Sequence, residues 1–158
     1  MKTASPVSPP WSSIRVGDVL PELDIPITPS VIVAGAIASR DFMPVHHDRD
    51  FAQAQGAPDI FMNILTSNGI VSRFVTDWSG PETMIRRIAI RLGVPALPGM
   101  SLRLSGEVRA TERRDGEGWI EIELRGTTPI GDHVTGRVEL TLPLDAGAAS
   151  TPPATSSP

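Results

Sequence analysis

The chain of 158 residues contains no cysteine, which excludes disulfides and thiolate metal sites and fits a reducing, cytoplasmic setting. Tyrosine is also missing, and three Trp with four Phe are too few for an aromatic cage or a base-stacking surface. The longest apolar run, VIVAGAIA, has eight residues, far short of the roughly 20 that a membrane-spanning helix needs. The opening MKTASPVSPPWSS carries no apolar stretch of the signal-peptide kind. A formal charge of -4 offers no basic surface to nucleic acid or to an anionic membrane. There is no GxSxG elbow for a serine nucleophile.

What remains reads as one soluble domain long enough to bury a core. Both ends, residues 1–13 and 145–158, are rich in Pro, Ser, Thr and Ala and have almost nothing to bury, so tails are expected there around a domain over 14–144. The C-terminal half alternates apolar and polar residues with period two. Leu102, Leu104, Val108 and Ala110 mark one strand, Ile120, Ile122 and Leu124 a second, and Val134, Val138, Leu140 and Leu142 a third. RRIAIRL, with Ile88, Ile90 and Leu92 inward, makes a fourth. Such alternation predicts antiparallel strands with one wet face, and RRDGEG and TPIGD supply hairpin turns.

The middle is different. In DIFMNILTSNGIVSRFVTDW the residues Ile60, Phe61, Ile64, Leu65, Val71 and Val75 recur at helical spacing. Asp59 is the expected N-cap, and the helix should fade near DWSGP. Gly69 inside it costs stability unless something packs closely there. One apolar helix with four amphipathic strands predicts an α+β domain, a curved sheet wrapped around a mostly buried helix. Upstream, GDVLPELDIPI reads as an edge strand and SVIVAGAIAS as a short helix.

The densest chemistry is RDFMPVHHDR, Arg40 to Arg49, which holds two of the three histidines. On an unbroken helix Asp41 and His46 would point about 140° apart. Pro44 lacks an N–H and disfavours helical geometry at Met43, so a turn is expected that lets the carboxylate and the imidazole face one point. Asp48 fits an N-cap opening DRDFAQAQG. His46, His47 and Asp48 are too few for a zinc site without a further ligand nearby, so no metal is expected. A solvated loop accounts for two histidines beside acids; the functional alternative is an Asp/His pair that grips a water. Such a pair suits addition of water across an activated double bond, with a backbone N–H near Ile60 to Asn63 taking the developing oxyanion.

The stretch SRDFMPVHHDRDFA resembles the hydratase-2 motif of MaoC-like (R)-specific enoyl-CoA hydratases, Asp-x-Asn-Pro-x-His-x-Asp followed by an aromatic and an alanine. Asp41, Pro44, His46, Asp48 and Ala52 match it. The resemblance implies a hot-dog fold and places water activation on Asp41 and His46. The motif asparagine is Met43 here, and the HG pair that begins the family's central helix is Met62-Asn63. The oxyanion N–H is then that of Asn63, whose side chain is expected to stand where the thioester approaches.

The strings VHHDRD, VTDW, RLGVP and GDHVT are similar to the small subunits of actinobacterial steroid side-chain enoyl-CoA hydratases. That likeness implies a steroid side-chain enoyl-CoA as substrate, with the coenzyme A thioester supplying its own activation and no cofactor. It also implies a second, larger MaoC-like protein as partner, in an α2β2 heterotetramer. An edge strand and an apolar flank left uncovered by one small sheet are consistent with such a partner. Arg73, Arg86, Arg87 and Arg91 near the helix-to-strand junction are candidates for the coenzyme A phosphates, or simply a solvated basic face. Two other readings stand beside hydration: a hot-dog acyl-CoA thioesterase, which would use an acid on or near the central helix, and a non-catalytic half that only stabilises its partner.

Overall fold

The computed structural model describes residues 7–145; of the tails expected at 1–13 and 145–158, residues 1–6 and 146–158 lie outside them. Five antiparallel strands form one sheet in the order β1-β3-β4-β5-β2. They are β1 (Leu23–Pro26), β2 (Met84–Leu92), β3 (Ser101–Arg114), β4 (Glu117–Thr128) and β5 (Gly131–Pro143). Three helices complete the domain: α1 (Pro29–Ala38), α2 (Arg49–Ala54) and α3 (Ile64–Ser79). This is the α+β hot-dog arrangement, with β1 and β2 as edge strands.

The alternation read from the sequence becomes the core. Leu102, Leu104, Val108, Ile120, Ile122, Leu124, Val138 and Leu140 are all buried on the inner face, where they meet Val71, Phe74 and Val75 of α3. Full burial of each such side chain contributes about 1.5–3 kcal/mol. Gly106 fits closely at its place in β3, where a Cβ would lie 3.0 Å from the Phe74 ring and 3.1 Å from Glu123 O. The β3–β4 hairpin turns at Asp115-Gly116, both with positive φ (55° and 78°), as the Asp-Gly pair predicts.

Two expectations fail in detail. Ala110 is exposed, because the β3–β4 register shifts between Val108 and Ala110. The bulge adds one residue to β3 and flips the alternation beyond it. The central helix starts at Ile64, not after Asp59, and its N-cap is Asn63, whose side chain accepts the Thr66 N–H at 2.9 Å. Asp59 is held instead by Arg49, at 3.0 and 2.8 Å. Meanwhile Phe61 and Met62 lie outside any helix, donating their N–H groups to Val45 O and Ala96 O. The buried face of α3 is accordingly Ser67, Val71, Phe74, Val75 and Ser79, and Ile64 and Leu65 are each 50% exposed.

The expected N-terminal tail is partly folded. Ser8 Oγ accepts the Glu82 N–H at 3.0 Å, and Ser12 N–H donates to Asp145 at 3.0 Å. The Trp11 ring lies so close over Gly118 that no Cβ fits beneath it. An indole finds enough area to bury even inside a Pro/Ser-rich stretch. No helix among the described residues is long and apolar enough to cross a membrane.

Candidate active site

Helix α1 is built to stop at the site. Thr28 caps its start, accepting the Val31 N–H at 3.1 Å, with Pro29 in the first turn. Its end is a Schellman motif: Asp41 N–H donates to Ala36 O at 2.9 Å and Arg40 N–H to Ile37 O at 3.0 Å. Arg40 therefore takes the left-handed conformation, φ 57°, a place glycine usually fills. Asp41 is the next residue, fixed by the end of the helix. Pro44–His46 then form a single 3-10 turn that starts at Pro44, and Asp48 caps α2 by accepting the Phe51 N–H at 3.0 Å.

This turn brings the expected pair together. His46 Nε2 lies 3.2 Å from Asp41 Oδ2, with the imidazole side chain 8% exposed and the carboxylate 27% exposed. The other ring nitrogen, Nδ1, lies 2.7 Å from Phe61 O, an acceptor with no proton to give, so Nδ1 carries the ring N–H. Phe61 also packs edge-on against the imidazole, centroids 5.1 Å apart. The pair is therefore held in one orientation. The Nε2–Oδ2 contact is a hydrogen bond when the two groups hold a proton between them.

Asp41 is further gripped from α3. The Asn63 Nδ2 donates to Asp41 Oδ2 at 2.9 Å and to Ser39 Oγ at 2.9 Å, and the Met43 N–H donates to Asp41 Oδ1 at 3.3 Å. The Asn63 hydrogen bond, ahead of the Met43 N–H and the charge of His46, holds the Asp41 carboxyl below its ordinary value. Partial burial opposes the shift without cancelling it.

Asn63 is 2% exposed and its side chain turns back into the protein, which corrects the expectation that it stands in the path of a thioester. Among the described residues no acceptor meets the Asn63 backbone N–H, so it is free to donate beside the pair at the positive end of α3. His47 is exposed at the turn's end.

The four arginines do not converge on the pair. Arg86 is bound by Glu117 and Arg87 by Glu139. Arg87 and Arg91 alternate with the half-buried Ile88, Ile90 and Leu92 of β2, so they face away from α3. Arg73, bound to Asp77 at 3.2 Å, is the one arginine on a shallow groove of about 370 Å³ that runs between α1 and α3 from Ser39. A depression of about 720 Å³ lies instead on the sheet among Arg109, Arg125 and Arg137. Each of these arginines is paired with an acid.

Sequence reasoning missed the contribution of the Asn63 side chain. It also missed a second polar link at the base of α3. Buried His133 Nδ1 lies 2.8 Å from Val94 O, and its Nε2 lies 2.8 Å from Ser67 Oγ. Burial holds the His133 pKa below its ordinary value, so its neutral Nε2 accepts the Ser67 hydroxyl proton. The sequence signal was faint: a histidine in a strand and a serine on the inward face of a helix, 66 residues apart.

Comparison with known proteins identifies the class that this fold and pair define. The family model for the MaoC like domain matches residues 15–127, and the chain belongs to that family. It is 50% identical over 127 residues to the 3-oxo-4,17-pregnadiene-20-carboxyl-CoA hydratase beta subunit of Mycobacterium tuberculosis, covering 80% of this chain and 95% of that one. The ChsH1-ChsH2 complex from Mycobacterium tuberculosis contains a chain that superimposes with a TM-score of 0.76 at 51% identity, over 81% of this chain and 98% of that one. The (R)-hydratase of A. caviae involved in PHA biosynthesis shares the fold, with a TM-score of 0.74 at 22% identity over 83% of this chain and 98% of its own.

Proposed function

We propose that the protein is the catalytic subunit of a heteromeric enoyl-CoA hydratase. It adds water across the α,β double bond of an acyl-CoA thioester whose acyl group is the side chain of a cholesterol-type steroid. The observation that carries this reading is the Asp41–His46 pair, 3.2 Å apart and beside the start of α3, in a chain half identical to a steroid-CoA hydratase beta subunit. The steroid, and a role in lipid catabolism among cytoplasmic coenzyme A thioesters, rest on that relative.

The geometry supports a balanced sequence. A water held by the pair gives a proton to Asp41 as its oxygen bonds to Cβ. The double-bond electrons move through Cα to the thioester oxygen, where the Asn63 N–H receives the charge. The proton on Asp41 passes along the Oδ2–Nε2 contact to His46, and Cα takes it from Nε2. One water is added and the pair is restored.

The partner is a second MaoC-like subunit, in an α2β2 arrangement. Ile37, Phe42, Met43, Ile64 and Leu65 are 50–67% exposed and belong to α1, the turn that follows it and the start of α3. Exposed large apolar side chains on these segments suit a protein cover better than water. Thioester hydrolysis fits less well: α3 has no acid in its first turn, Asp59 precedes it in a pair with Arg49, and Asp77 near its end is bound to Arg73. A purely structural half has no need of a buried imidazole aimed at a carboxylate.

The test is loss of enoyl-thioester absorbance by the co-expressed complex. Asp41→Asn and His46→Gln should each lower the rate by about 10²–10⁴-fold while the subunits still co-purify. Full activity in either variant would remove the assignment.

A further inference from the structure

We propose that Asn63 is a positioning residue for Asp41, tying the carboxylate to the first turn of α3 while it caps that helix. This rests on the reading of Asp41 as the base that activates water. The carboxamide is used at both ends. Its two N–H bonds go to Asp41 Oδ2 and Ser39 Oγ, each at 2.9 Å, and its oxygen takes the Thr66 N–H at 2.9 Å. Ser39 Oγ in turn donates to Gly35 O at 2.8 Å, so the network closes on α1. With Asn63 2% exposed, its carboxamide is shielded from water.

The arrangement does more than cap a helix. Asp, Ser and Asn cap about equally well, because each presents an oxygen to the helix N–H groups. Only a carboxamide presents that oxygen and also donates two hydrogens on the other side. The donated pair reaches across from α3 to α1, so the acid that handles the water and the backbone N–H that faces the oxyanion move as one body. A displacement of about 1 Å between two such groups is enough to cost orders of magnitude in rate.

The surroundings isolate the effect. Among the described residues, the one titratable side chain in contact with Asp41 is His46 from the 3-10 turn. Helix α1 has no charged residue, the first turn of α3 has no acid, and neighbouring Arg40 is exposed. The hydrogen bond from Asn63 is also the largest influence on the Asp41 carboxyl.

Asn63→Asp and Asn63→Ser test the proposal together. Both keep a capping oxygen, so both should still fold cooperatively, with Asn63→Asp the less stable of the two at neutral pH because two carboxylates then meet. Asn63→Asp replaces the donor by a second carboxylate, and the acidic limb of its kcat/KM profile should move up by at least one pH unit, with kcat at neutral pH down tenfold or more. Asn63→Ser loses the donor without adding charge and should shift the same limb upward by less. Activity is measured on the complex with a short enoyl-CoA thioester. The Asp41 carboxyl is titrated separately, by carbon NMR on the full chain with labelled aspartate, with Asp41→Asn to assign the signal.

An upward shift of that titration in both variants supports the proposal. Wild-type pH profiles and an unmoved Asp41 signal in stably folded variants would overturn it. If the parent complex showed no hydration, the function would fall while the NMR arm still decided the role of Asn63.

Discussion

The packing of α1 on α3 is so close at Gly35 that one methyl group should disturb the site from 6 residues away. A Cβ on Gly35 would lie 2.2 Å from Thr66 Oγ1, 2.8 Å from Thr66 Cγ2 and 3.0 Å from Thr66 Cβ. Rotating the threonine cannot clear the clash, because its own Cβ stays in range. Overpacking of this kind costs about 3 kcal/mol at its upper end, and the better helix propensity of alanine returns about 1 kcal/mol. Gly35→Ala should therefore destabilise by about 2 kcal/mol.

Thr66→Ala alone should be nearly neutral. Its Oγ1 is buried with no hydrogen-bond partner, so its loss leaves nothing unsatisfied, and about 1 kcal/mol for the lost methyl is offset in part by helix propensity. Combined, the two changes remove most of the clash, and a coupling energy of about 2 kcal/mol should appear in the double-mutant cycle. Gly69→Ala on the same groove is the control: it meets no heavy atom within 4 Å and should stabilise by about 1 kcal/mol. Urea unfolding reads all four proteins, and activity of the complex should fall with Gly35→Ala, because α1 ends on Asp41. A coupling energy below about 0.5 kcal/mol would refute the reasoning, since that is the scale on which independent sites already add.

Arg40→Gly removes the side chain from a left-handed position, φ 57°, and should raise stability by about 1 kcal/mol in the same assay. His133 sets a pH dependence. Its pKa is lowered in the fold by burial, so below the unfolded value of about 6.5 the unfolded chain binds a proton that the folded chain refuses. Stability should be full above that pH and fall by up to about 1.4 kcal/mol per unit as pH drops towards the folded value; urea midpoints from pH 5 to 8 should show this slope, and His133→Gln should flatten it. Asp41 adds a second loss at lower pH: its folded pKa is depressed, so its contribution is present above the ordinary carboxylate range and disappears as pH falls through the folded value.

Much of this protein was legible in one dimension. Period-two alternation identified β2, β3, β4 and β5, since a strand with one wet face repeats every two residues whatever it packs against. Local steric rules did the same for the turn at Pro44, the cap at Asp48 and the Asp-Gly hairpin. These are short-range effects, complete within a few residues of chain. That is why the turn that lets Asp41 and His46 face one point is legible in the sequence.

What depended on distance along the chain was hidden. Asp59 and Asn63 were both good caps by residue type, and only Arg49, folding back to take the Asp59 carboxylate, left the helix to Asn63. The bulge that exposes Ala110, the docking of Trp11 over Gly118 and the Ser67–His133 link each join segments that the sequence does not relate. The reach of Asn63 to Asp41 is of the same kind, across 22 residues and two helices. Sequence determines which groups are available to the site and how the backbone bends locally. Tertiary packing decides which competing hydrogen bond each polar group makes, because a donor or acceptor is claimed by whichever partner the rest of the fold has already buried beside it.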